Sequence, residues 1–139
     1  MTSEDRLKRI FPRLHSGYFK ITSEPDNYNC VAWAVQDVKK WWQPLFYWPK
    51  EVPEGYSIDN YIALYEYLGF ERCDNSSLEE GYEKISLYAK NGFFKHVSRQ
   101  LKDGYWTSKL GEKEDIKHSY DSLTGDMYGG IVVLMKKRI

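Results

Sequence analysis

Apolar side chains between residues 30 and 42 recur with a helical period. Val31, Ala34, Val35, Val38 and Trp42 fall on one face, which predicts a helix from Cys30 to about Trp42, with Pro44 preventing it from running on. A second helix is predicted from about Ser57 to Leu68, with Ile58, Tyr61, Ile62, Tyr65 and Leu68 on one face and Gly69 placed for its C-cap. Beyond Gly69 the period changes to that of strands. Residues 83–89, 93–101, 105–110 and 130–136 read as strands, with Asn91-Gly92 and Asp103-Gly104 as two-residue hairpin turns. Upstream lies an N-terminal arm reaching to about residue 26, with a short helix at 3–10 and extended chain around 18–21. Asp26-Asn27-Tyr28-Asn29 reads as a turn ending in a helix cap, and 119–124 as a short turn or helical segment before the last strand. Helices first and an antiparallel meander afterwards make an α+β pattern, expected as a single domain over residues 1–139.

Composition changes this picture little. Net charge is zero, from 20 basic and 20 acidic residues, so the electrostatic footprint of a nucleic-acid-binding protein is missing. Residues 1–13 carry charges throughout and lack an apolar signal core, and no stretch approaches a membrane span. The expectation is a cytoplasmic protein with Cys30 and Cys73 as free thiols. Aromatic residues reach 17%, and a cluster of them lies between the prolines of the 41–49 loop. Such rings either wall a groove for a ligand or pack as a cap over the helix end.

The chemistry-bearing feature is Cys30 directly after the Asn29 cap. Unpaired N–H groups and the positive end of a helix favour a thiolate, with a pKa below the roughly 8.5 of a free cysteine; the alternative is a small apolar residue opening a core helix. A cysteine nucleophile needs a base. Among His15, His96 and His118, His96 comes from a strand of the meander and is the one placed to meet Cys30 across a groove; its alternative is a surface residue. No Cys-x-x-Cys or His-x-x-x-His spacing supports a metal set of Cys30, His96 and His118, and no phosphate-binding glycine loop occurs. No cofactor is expected.

Asn29-Cys30 opening a helix, His96 on a strand, and then Gly104-Tyr-Trp-Thr-Ser-Lys-Leu-Gly111, Ile116-Lys117-His118 and Tyr128-Gly129 together resemble the papain-like cysteine hydrolase superfamily, in particular its compact NlpC/P60-like branch and related small bacterial amidase domains. The resemblance runs from about Tyr28 to the C-terminus. It implies a papain-like α+β fold with the Cys-bearing helix packed on an antiparallel sheet. It carries Cys30 over as nucleophile, His96 as general base and Ser108 as the third member, where the superfamily more often has Asn, Asp or His. Tyr28 and Asn29 are placed to add oxyanion donors, and Trp48, Lys109 and His118 to line a substrate site. The implied function is hydrolysis of a peptide-like or amide substrate through an acyl-enzyme. The alternative is a non-catalytic interaction domain that binds a peptide or protein through the aromatic loop, with Cys30 structural.

Overall fold

The structure, a computed structural model, describes residues 2–15, 17–23, 28–37, 39–110 and 114–139. Asp26 and Asn27 of the expected turn, Val38 of the expected helical stripe and Gly111 of the Gly104–Gly111 stretch lie outside the described residues.

A seven-stranded antiparallel sheet dominates the chain. The arm contributes α1 (Ser3–Ile10), a short 3-10 helix (Pro12–His15) and β1 (Phe19–Ser23). There follow α2 (Cys30–Ala34), α3 (Ile58–Tyr67), β2 (Glu71–Cys73), β3 (Tyr82–Lys90), β4 (Phe93–Gln100), β5 (Trp106–Lys109), β6 (Asp115–His118) and β7 (Gly130–Arg138). Strand order is β1-β6-β5-β4-β3-β7-β2. This small β-rich domain with few, short helices corrects the papain-like α+β expectation. The period-2 segments continue through β6 and β1 on one side and β7 and β2 on the other, while α2 is five residues long instead of reaching Trp42.

The early end of α2 has a local cause. Gln36 adopts φ 62°, outside the helical region. Asp37 then accepts hydrogen bonds from the Lys39 N–H and the Trp42 indole, each at 2.8 Å, so the chain turns back. Asn29 fixes the return: its Oδ1 accepts from Ala32 N and from Trp42 N, both at 3.1 Å, and its Nδ2 donates to Trp42 O at 2.7 Å. One buried amide thus caps α2 and clamps the 41–49 loop to it. α3 begins near Ser57 as expected, and Ser57 and Asn60 form a reciprocal capping box at its start.

The two faces of the sheet carry separate cores. α2 and α3 cover one face, where Val31, Tyr61, Leu64 and Tyr65 meet Ile85, Leu87, Val97 and Met135. The arm covers the other, where Leu7, Phe11 and Leu14 meet Tyr88, Ile116 and Leu123. Around Tyr88 both neighbouring strands hold an extra residue. Tyr88 pairs with His96 and Ala89 with Phe94, leaving Lys95 as a bulge in β4; Leu87 pairs with Val133 and Tyr88 with Ile131, leaving Val132 as a bulge in β7.

The Asn29 clamp yields a quantitative expectation. Asn29→Ala removes the cap and strands the Trp42 N–H and C=O, which together cost about 3 kcal/mol. Urea unfolding of the two proteins checks this, and a loss under about 1 kcal/mol would show that the clamp is dispensable.

Candidate functional site

Cys30 does open α2, but what surrounds it differs from a nucleophile's environment. It packs against the Val97 face of the sheet, among the apolar groups between α2, α3 and β4. The N–H groups of Val97, Val31 and Cys30 itself lie close enough to favour a thiolate, yet burial outweighs them and pushes the thiol up to about 11. This reverses the lowered pKa expected from its position after the helix cap.

His96 belongs to the opposite face. Because Lys95 is extra, His96 pairs with Tyr88 instead of sharing the side of Phe94, whose ring stacks 3.7 Å from Tyr61 beneath α3. The imidazole lies flat on Tyr128, centroids 4.2 Å apart and planes 3° from parallel, and meets the edge of Tyr88 at 5.2 Å. It is 1% exposed, its Nε2 has no hydrogen-bond partner among the described residues, and burial holds its pKa well below the ordinary imidazole value. The sheet therefore separates the expected nucleophile from the expected base.

Ser108 contacts a histidine, but it is His118. Ser108 Oγ lies 2.7 Å from His118 Nε2, and His118 Nδ1 lies 2.7 Å from Ser119 O. Burial lowers the His118 pKa to about 4, against a lesser raising effect of the Ser119 carbonyl. The ring is neutral at pH 7. Since Ser119 O only accepts, Nδ1 carries the proton, and Ser108 donates to Nε2. Ser98 Oγ completes the chain at 2.7 Å from Ser108 Oγ, with the Tyr88 hydroxyl 3.3 Å beyond. Ser108, Ser98 and His118 are fully buried, so this is an internal polar ladder across β4, β5 and β6.

The remaining expected site residues are also committed internally. The Tyr28 hydroxyl donates to Asp115 Oδ2 at 2.5 Å, and Lys109, fully buried, sits 5.1 Å above the Tyr28 ring and opposite Asp115 in the β5–β6 register. Lys109 and His118 line no solvent-facing site, and Tyr28 and Asn29 spend their polar groups on Asp115 and Trp42. Trp48 donates to Val52 O at 3.1 Å and packs edge-on against Tyr61. Two surface recesses, of about 540 and 400 Å³, are lined by Asp5, Lys8, Arg9 and His15 and by residues around Arg72–Asp74 and 131–134; Cys30 and His96 line neither. Among the described residues no group of three or more His, Cys, Asp or Glu could hold a metal, and no helix is long and apolar enough to cross a membrane.

What the sequence reading passed over is the outer tip of the aromatic loop. Gln43 N donates to Tyr47 O at 3.1 Å and Phe46 N to Gln43 O at 2.9 Å, closing a tight turn. Trp42 and Pro44 point inward and are buried. Leu45 and Phe46 point outward, 90% and 73% exposed, and Leu45 holds φ 76°. The prolines and rings of this loop were visible in the sequence, but not which of them face water.

Fold and site together define a small β-rich domain on a seven-stranded sheet with a presented aromatic loop. A family model described as "Domain of unknown function (DUF7689)" matches residues 20–136, and the chain belongs to that family. No curated protein and no solved structure matches it.

Two measurements check these electrostatics. Iodoacetamide at pH 7.5 should label Cys30 roughly a hundredfold more slowly than a free thiol, with no dependence on His96; labelling that is fast and falls in His96→Ala would overturn the separation of the two residues. Stability should also fall with acid. His118 binds its proton at about 4 when folded and near 6.5 when unfolded, so its contribution is complete above about pH 6.5 and fades as pH drops towards 4. Urea melts between pH 7.5 and 4.5 should lose about 2–3 kcal/mol through this group, and His118→Gln should remove that share of the slope, leaving the part due to His96.

Proposed function

We propose that this protein is an interaction module that docks on another protein through the 45–47 tip, and that Cys30 is part of its scaffold. The observation carrying this reading is Leu45: a large apolar side chain, 90% exposed, held in a left-handed conformation that L-residues avoid. The Gln43–Phe46 turn, with Pro44 at its second position and a positive φ at its third, requires that conformation, yet the third position is filled by leucine where glycine or asparagine is the usual choice, and Leu45 and Phe46 both project into solvent. The base beneath the tip is rigid, since Asn29, Asp37 and Trp42 tie it to α2. An anchor pair that is already ordered loses little entropy on binding.

The flanks define the partner's chemistry. Lys39, Lys40 and Lys50 are exposed beside the tip, and Lys40 Nζ lies 4.3 Å from the Tyr47 ring centroid. A protein surface with an apolar pocket and an acidic rim complements both the two anchors and their basic border.

A photoreactive phenylalanine analogue at Phe46, in the cell that makes the protein, is expected to give one discrete protein adduct. Leu45→Ser should abolish the adduct, added salt should weaken it, and Cys30→Ala should leave it intact. An adduct indifferent to Leu45→Ser, or the same adducts from the analogue at the exposed Leu78, would sink the reading. Turnover of an amide or ester that depends on Cys30 would do so too.

A further inference from the structure

The seam between the arm and the sheet holds a histidine in surroundings that oppose its protonation. Phe11 of the arm lies 5.1 Å from the Tyr128 ring, and Tyr128 in turn covers the face of His96. The groups that face His96 come from four elements. They are Tyr88 on β3, Ser98 on its own strand, Tyr128 in the segment before β7, and His118 on β6, which is neutral until pH nears 4 and opposes protonation of His96 only once it is itself charged. No carboxylate among the described residues counts among them. The arm's own charges are engaged at its margins, in the Arg6–Glu114 pair and in Arg13–Asp121 at 3.6 Å. His15 also belongs to the arm and is exposed.

The arm is peripheral in a second sense. The family match begins at Lys20, so α1 and the 3-10 helix lie outside the stretch that the family model describes. They dock mainly through three buried side chains, Leu7, Phe11 and Leu14. Detaching so small a contact costs less than unfolding the sheet.

We propose that α1 and the 3-10 helix form an acid-sensitive latch over His96, which opens between about pH 7 and pH 5 while the sheet stays folded. Opening frees Tyr128 from Phe11 and lets water reach the imidazole. The closed state keeps His96 neutral and the open state returns it to an ordinary value near 6.5, so closure is fully favoured above that pH and weakens below it. For one uncovered imidazole the opening constant rises tenfold per pH unit below about 6.5, or roughly thirtyfold from pH 7.5 to 5.0.

Amide hydrogen exchange of the full chain at the two pH values, corrected for intrinsic rates, tests this directly. Amides of residues 5–15 should lose roughly thirtyfold protection at pH 5.0 and stay less protected than those of β3 and β4 at both pH values, because the arm opens without global unfolding. Phe11→Ala should already show the open pattern at pH 7.5. His96→Phe, which keeps a stacking ring but cannot titrate, should make protection of the arm independent of pH. Equal protection of arm and sheet, unchanged protection of the arm at pH 5.0, or the same pH response of the arm in His96→Phe would each overturn the latch. If His96→Phe does not fold, histidine ring NMR on the natural sequence decides. The His96 resonance should titrate in step with arm opening, and a His96 still neutral while the arm exchanges freely would refute the proposal.

Discussion

One inserted residue in β4 governs what each face of the sheet can do. With Lys95 looped out, Phe94 and Val97 serve the helical side while His96 and Ser98 turn towards the arm. With Val97 held on the helical side by its Leu87 pairing, strict alternation would have put Phe94 and His96 together on the arm side. The bulge thus turns Phe94 over to supply Tyr61 with a stacking ring, while His96, next to Val97, faces away from Cys30 by alternation. On that far side His96 begins a stack through Tyr128 to Phe11 that seats the arm. A second bulge at Val132 flanks the same tyrosine, Tyr88, from the other side.

The two cores differ in kind. On the helical side the contacts are aromatic and aliphatic, and the polar groups near them are bonded locally, as in the Asn29 clamp and the Tyr28–Asp115 pair. The arm side instead buries a row of hydroxyls and imidazoles under apolar cover. Such a ladder is worth most while every member is neutral and paired, and a proton added to it meets no counter-ion among the described residues. Protons therefore act on this molecule mainly through the face covered by the arm.

Individual elements were legible in the sequence, whereas the architecture that assembles them was not. Asn91-Gly92 forms the expected hairpin turn, both residues having positive φ, and β3, β4, β5 and β7 fall where period-2 patterns placed them. The helix start at Cys30 followed from its Asn29 cap, and the one near Ser57 from its apolar period. What failed has physical reasons. A bulge at a lysine leaves no mark in composition, so the facing of Phe94 relative to His96 could not be read. The apolar stripe beyond Ala34 was real, but Gln36 and the hydrogen bonds of Asp37 end α2 and fold Trp42 back. β6 was missed because Asp-Ile-Lys-His holds a single aliphatic residue, its polar ends being stabilised by Tyr28 and Ser108.

Leu45 leaves a trace that evolution can be asked about. A left-handed backbone is where glycine relieves strain at little cost, and proteins rarely leave such relief unused without a reason. Family members that keep a branched apolar residue at this turn are retaining a surface that their fold does not require. Lineages that have drifted to glycine or asparagine there are expected to have lost the neighbouring exposed phenylalanine as well. The turn thus becomes a marker for sorting the family into members that still engage a partner and members that have let it go.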